Sequence, residues 1–212
     1  MNENIFIPKK SVPSKIASLG LLWLFLTGAG LWFLSDYQNT PGIATAPPVQ
    51  FPAESRLARN ADRPTLVMLV HPHCPCSRAS IGELELVAAQ TQRRATIYVL
   101  FLKPSEFTED WEKTDLWKNV SEIPGVKAVS DTDGKEAALF NGATSGQTFL
   151  YAADGHLLFK GGITDGRGHS GDNAGRSAVV AFLNEDKTAQ TETEVYGCPL
   201  FNKDTFACPL PQ

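Results

Sequence analysis

Apolar residues fall along this chain in distinct patterns. Residues 16–34 read IASLGLLWLFLTGAGLWFL, a run without charge or proline. At about 1.5 Å of rise per residue it nearly spans a hydrocarbon core of roughly 30 Å. Residues 65–70 (TLVMLV) and 96–102 (TIYVLFL) are short continuous apolar runs, which predict strands buried on both faces. Between them Ile81, Leu84, Val87 and Ala88 recur at helical spacing and predict a helix over 77–92. Trp111, Leu116, Trp117 and Val120 stand among charges in 106–120, a pattern of one or two short helices. A third strand is expected at 126–129 and a helix at 135–140. Residues 147–152 and 156–161 flank Ala153-Asp154-Gly155, where Asp-Gly signals a hairpin. A last helix is expected over 173–184, capped by Asp172 or Asn173.

The flanks of the first run decide its orientation. Lys9, Lys10 and Lys15 precede it and Asp36 follows it, so the positive-inside rule puts 1–15 in the cytoplasm. Everything beyond the run is then exported, with the main domain periplasmic or otherwise extracytoplasmic and the chain a single-pass inner-membrane protein. A cleaved signal is the competing reading, with Ala44-Thr45-Ala46 as a small-x-small site lying about ten residues past the run. Residues 35–60, with four prolines among small residues, are expected as a semi-extended spacer between membrane and domain. Residues 61–190 then form one domain and 191–212 a cysteine-containing tail. The net charge of −4 and the lack of a basic stripe exclude a nucleic-acid partner. Four cysteines in an exported chain are too few for a disulfide-built scaffold.

Two of those cysteines sit in His71-Pro72-His73-Cys74-Pro75-Cys76-Ser77-Arg78, between the first predicted strand and its helix. A helix N-terminus presents unpaired N–H groups and a positive end, which stabilise a cysteine thiolate. The thiolate is the attacking species in disulfide exchange and the species that ligates metals. Pro75 has a fixed φ and no N–H, so it stiffens the link between the sulfurs. A Cys74–Cys76 disulfide would close a small, strained ring, and strained disulfides are easily reduced. On this reading both sulfurs face solvent at the mouth of the helix.

The order strand, helix, strand, helix, hairpin, helix, with HxxCPC after the first strand, resembles the thioredoxin-like superfamily. The resemblance runs from about residue 63 to 184 and implies an α/β fold with a central mixed sheet flanked by helices. HPHCPCSRAS, Ile123-Pro124-Gly125-Val126, Thr144-Ser145-Gly146-Gln147, Gly161-Gly162-Ile163-Thr164 with Arg167-Gly168-His169, Gly171-Asp172-Asn173-Ala174-Gly175 and Tyr196-Gly197-Cys198-Pro199-Leu200 together are similar to the small family of single-pass bacterial proteins labelled RedB. That resemblance implies a membrane-anchored thiol–disulfide role. Two features depart from ordinary thioredoxins. The second cysteine of their Cys-x-x-Cys is Ser77 here, and no proline stands near Gly146 or Gln147, where they carry a cis-proline.

The expected function is a membrane-anchored thiol–disulfide oxidoreductase. Cys74 attacks, Cys76 resolves, His73 and His169 tune the thiolate, no cofactor is needed, and the partners are protein thiols or disulfides outside the cytoplasm. The alternative is a copper-binding or copper-delivering module holding the metal with Cys74, Cys76 and His169. A histidine far downstream of a cysteine pair resembles the Sco-type copper proteins, although their spacing is Cys-x-x-x-Cys. Cys198 and Cys208 leave three readings open: a structural disulfide with each other, Cys198 as resolving partner of the Cys74–Cys76 pair, or a four-cysteine zinc site. Gly166, Gly168 and Gly171 mimic a nucleotide fingerprint but follow a hairpin instead of a first strand, which excludes that use.

Overall fold

The computed structural model describes residues 14–186 and 188–201. The chain divides into two compact units, Met1–Tyr37 and Gln38–Gln212. Helix α1 (Ser14–Asn39) carries a window of mean hydropathy 1.8 and buries none of its residues. Its 26 residues span about 39 Å at helical rise, enough to cross a bilayer core.

The second unit is built on β1 (Thr65–Val70), whose six residues are all buried. The order continues α2 (Ser77–Gln90), β2 (Thr96–Lys103), α3 (Asp115–Glu122), β3 (Val126–Thr132), α4 (Lys135–Leu139), β4 (Thr148–Tyr151), β5 (Leu157–Gly161) and α5 (Ala174–Leu183). The strands form one sheet in the order β3-β2-β1-β4-β5. β1, β2 and β3 are parallel, with Val67 opposite Tyr98, and β4 and β5 run antiparallel to their neighbours. Because side chains alternate along a strand, Leu66, Met68 and Val70 join one core with Ile81, Leu84, Val87, Leu116, Val120 and Val179. Val67 and Leu69 face the other core, with Leu57, Ala137, Phe140, Phe149, Tyr151 and Leu200. This is the thioredoxin-like arrangement, a central mixed sheet flanked by helices.

The predicted elements fall where the patterns put them, with short shifts at their ends. The segment 106–120 yields one helix, α3, after a run of turns. Asn173 caps α5, its side chain accepting the Arg176 N–H at 2.7 Å.

The segment expected as a spacer lies on the domain from residue 38 onward. The Gly42 N–H donates to Val195 O, Thr144 Oγ1 to Ile43 O, and the Phe51 N–H to Gly155 O. Pro47, Pro52 and Leu57 are buried, and the Phe51 ring stands edge-on to Phe140 and Tyr151, each 5.3 Å away. The segment covers apolar surface that would otherwise meet water.

Candidate functional site: three thiols at the end of the central strand

β1 ends at Val70, and the chain turns through 71–76 into α2. The Cys74 N–H donates to His71 O, and the N–H groups of Ser77, Arg78 and Ala79 donate to the carbonyls of Cys74, Pro75 and Cys76. The first turn of α2 therefore already includes the cysteines, and Cys76 has right-handed helical φ and ψ of −65° and −28°.

Cys198 is the third member. Its Sγ lies 2.9 Å from Cys74 Sγ, although the residues are 124 positions apart in sequence. The sulfurs of Cys74, Cys76 and Cys198 all lie within 4.8 Å of one another. Backbone hydrogen bonds hold the strap that brings Cys198 in. The Gly162 N–H donates to Glu194 O, the Ser145 N–H to Cys198 O, and the Leu200 N–H to Ala143 O. Arg167 adds a guanidinium hydrogen bond to Gly197 O.

Ser145 links the pieces. Its Oγ accepts the His71 N–H at 2.8 Å and lies 2.7 Å from Ser77 Oγ. Gly146 follows at φ +89°, its N–H donating to Leu69 O, and a Cβ there would come within 2.8 Å of Ser80 Oγ. That conformation and that closeness both favour glycine. The loop occupies the place opposite the cysteines where the thioredoxin comparison put the missing proline.

The sulfurs are not solvent-facing, which corrects the sequence reading. Cys74 is 0% exposed and Cys76 8%. The cause is tertiary: the 194–200 strap closes over a helix mouth that would otherwise be open. Cys74 nonetheless lines a cleft of about 260 Å³ with Pro72, His73, Pro75, Arg78 and Asp115, whereas Cys76 and Cys198 do not.

The thiol of Cys198 is also the first cause of Cys74's acidity. Its hydrogen bond, then that of Cys76, the Cys198 N–H and the Ser77 hydroxyl outweigh burial and hold Cys74 far below the usual thiol range. Cys198 also acts to lower Cys76. Cys74's hydrogen bond and charge, together with burial, prevail and push Cys76 up to about 11. One thiolate shared among three sulfurs accounts for both directions.

The histidines stand elsewhere. His73 is at the cleft rim, its Nε2 3.2 Å from Trp111 O and its ring 4.6 Å from the Trp111 ring. His71 is buried edge-on to Trp111. His169 is exposed in a different cleft with Arg167, outside the sulfur cluster. Among the described residues the group able to hold a metal ion is Cys74, Cys76 and Cys198, so a sulfur stands where the copper reading expected His169. Cys208, and with it a Cys198–Cys208 pairing or a four-cysteine zinc site, lies outside the described residues.

Two contributors stood in the sequence without a role at the cysteines. Ser145 appeared only within the Thr144-Ser145-Gly146-Gln147 stretch, and Arg167 only in the glycine-rich loop, where no periodic signal pointed to the thiols. That loop is tied to α2: the Gly171 N–H and Asn173 Nδ2 donate to the buried Glu83, which also pairs with Arg176.

No protein-family model matches the chain, and no curated protein sequence matches it. Among solved structures, an uncharacterized conserved protein from Geobacillus kaustophilus superposes with a TM-score of 0.57 at 17% identity. The match covers 79% of this chain and 96% of that one. A hypothetical protein from Sinorhizobium meliloti gives 0.55 at 19%, covering 76% and 93%. A secreted Mycobacterium tuberculosis disulfide oxidoreductase homologous to E. coli DsbE overlaps over 47% of this chain and 68% of its own, at 21% identity and a TM-score of 0.38. The first two share the fold; the third overlap is too small to transfer chemistry. Fold and site define a chain of thioredoxin-like fold with a buried three-cysteine cluster and an apolar N-terminal helix.

Proposed function

We propose that this chain is a membrane-anchored, extracytoplasmic thiol–disulfide oxidoreductase with Cys74-Pro75-Cys76 as its redox centre. The observation that carries the reading is a stabilised thiolate, Cys74, at the edge of a cleft with further thiols within 4.8 Å. Cys74 attacks one sulfur of a partner's disulfide and forms a mixed disulfide, and the partner's other sulfur leaves as a thiolate and takes up a proton. A neighbouring thiol, Cys76 in the sequence reading, gives up its proton and attacks Cys74 Sγ. The partner departs as a dithiol and the centre is left as a disulfide. Run backwards, the same steps oxidise partner thiols. His73 lines the cleft, where a docking chain would meet it. Helix α1 supplies the anchor, and the lysines before it favour export of the domain.

The test uses the full-length chain in detergent, equilibrated with glutathione redox buffers and then alkylated. Reversible loss of the Cys74 thiol supports the proposal; a Cys74 that stays unchanged across the whole range of buffers refutes it. A phosphatase fused after residue 212 checks the topology, since activity requires export.

A second reading, a copper module, is favoured by one observation: the cluster offers three soft sulfur donors, the ligand type that selects Cu(I). In a Cu(I) titration against a competing chelator, this reading expects binding to fall in Cys198→Ser and to persist in His169→Ala.

A further inference from the structure

We propose that Cys198 is the sulfur that closes the disulfide on Cys74, so that the oxidised protein carries a Cys74–Cys198 bond and leaves Cys76 as a thiol. The inference rests on the thiol–disulfide reading above and reassigns its second sulfur.

Three features of the site carry it. The first is distance: the Cys74 and Cys198 sulfurs are 2.9 Å apart, and a disulfide needs about 2.05 Å. The second is local geometry. Cys74 and Cys76 lie two positions apart on a hydrogen-bonded helical turn, with the Ser77 and Ala79 N–H groups bound to their carbonyls. The Cys76 thiol reaches Cys74 within 4.8 Å as a hydrogen-bond partner, but the two sit on one turn whose middle residue, Pro75, has its φ fixed. Joining them requires that turn to open, whereas joining Cys74 to Cys198 requires only a short approach of the strap. The third is access. Cys74 is among the residues lining the cleft and Cys198 is not; both are covered, at 0% and 5% exposure, so a partner docking in the cleft reaches Cys74 by displacing part of that cover. The placement is built in by the backbone. Hydrogen bonds at Glu194, Cys198 and Leu200 pin the strap, and a Cβ on Gly197 would come within 1.9 Å of Ser145 O.

The step balances with the partner and one proton from water. The Cys74 thiolate breaks the partner's S–S bond and forms a mixed disulfide, and the partner sulfur released takes up a proton from water. The Cys198 thiol then passes its proton to the departing partner sulfur and forms the Cys74–Cys198 bond as the Cys74–partner bond breaks. Two electrons move from the cysteine pair to the partner, which leaves as a dithiol.

The test treats the reduced full-length chain, in detergent, with oxidised glutathione. Samples are quenched in acid over time, alkylated and digested with trypsin. Cys74 and Cys76 share the tryptic peptide 60–78, Cys198 lies in 188–203 and Cys208 in 204–212. The expected product is a cross-link between peptides 60–78 and 188–203 with Cys76 alkylated. A closed loop within 60–78, or a cross-link between 188–203 and 204–212, overturns the inference while leaving thiol–disulfide exchange intact. A chain that forms neither a disulfide nor a glutathione adduct overturns the underlying reading instead. In Cys198→Ser the glutathione adduct on Cys74 is expected to outlast the wild-type adduct by at least about tenfold, because an intramolecular attacker has been removed. In Cys76→Ser its lifetime stays within about twofold of wild type. The opposite pattern in the two variants overturns the inference.

Discussion

The shared thiolate makes a quantitative prediction about how redox equilibrium depends on pH. Reduced Cys74 is held as a thiolate chiefly by the thiol of Cys198, while Cys76 is pushed up to about 11. Glutathione, with an ordinary thiol pKa of about 8.5, is protonated throughout pH 5.5–7.5. The reduced centre therefore holds one proton, on whichever thiol closes the bond, where two ordinary thiols would hold two. Oxidation by glutathione disulfide then consumes one proton from solution as two glutathione thiols form. The equilibrium constant for forming the protein disulfide falls about tenfold per pH unit, roughly a hundredfold over the window. Put as a potential, the protein couple moves by about 30 mV per pH unit where a fully protonated dithiol moves by about 59 mV. The assay is quantitative alkylation after equilibration in glutathione buffers at pH 5.5, 6.5 and 7.5. A constant flat within about twofold across those points would mean two protonated thiols, and the charge argument would be wrong. The same proton count fixes the sign for stability. Cys74 is depressed in the folded state, so its contribution is complete above about pH 8.5 and is lost as pH falls toward the folded value. Relative to Cys74→Ser, the reduced protein should become steadily more stable as pH rises from 5.5 to 7.5. Cys76, raised to about 11, is protonated in both states there and adds no slope.

Other consequences follow from the packing. Arg176→Ala leaves Glu83, whose side chain is 2% exposed, without its cation, and should cost about 3–5 kcal/mol in urea unfolding; a loss below about 1 kcal/mol would contradict the buried-charge argument. Gly197→Ala drives a methyl group into Ser145 O, which should cost about 1–3 kcal/mol and slow formation of the cross-linked form. Phe51→Ala removes a half-buried ring seated on Phe140 and Tyr151 and should cost about 2 kcal/mol, whereas a free spacer would show no change. Alkaline carbonate extraction should leave the full chain in the membrane pellet and release a chain starting at residue 38; release of the full chain would refute the anchor.

The elements of this fold were legible because each leaves a periodic trace over a few residues. The unbroken TLVMLV gave a strand covered on both sides, and it proved to be the middle strand of the sheet, with a core on each face. Asp154-Gly155 gave the hairpin, and Asn173 the cap of the last helix. The length and apolarity of 16–34 gave a helix able to cross a membrane. Each of these depends on contacts between residues close in sequence, which composition and spacing encode directly.

The cysteine site divides differently. The sequence by itself determined that Cys74 and Cys76 stand at a strand-to-helix turn, since that follows from the runs on either side. Only the tertiary structure decided that Cys198, and not a histidine, completes the group, that residues 38–60 lie on the domain, and that the sulfurs are covered. Those outcomes depend on the 194–200 strap bonding to Gly162 at the end of β5 and to Ala143 and Ser145. Irregular segments bond through backbone groups that every residue carries, so they leave no pattern in the side chains. The distance between Cys74 and Cys198 is set by how strands remote in sequence fold back beside one another, and no local rule along the chain contains it.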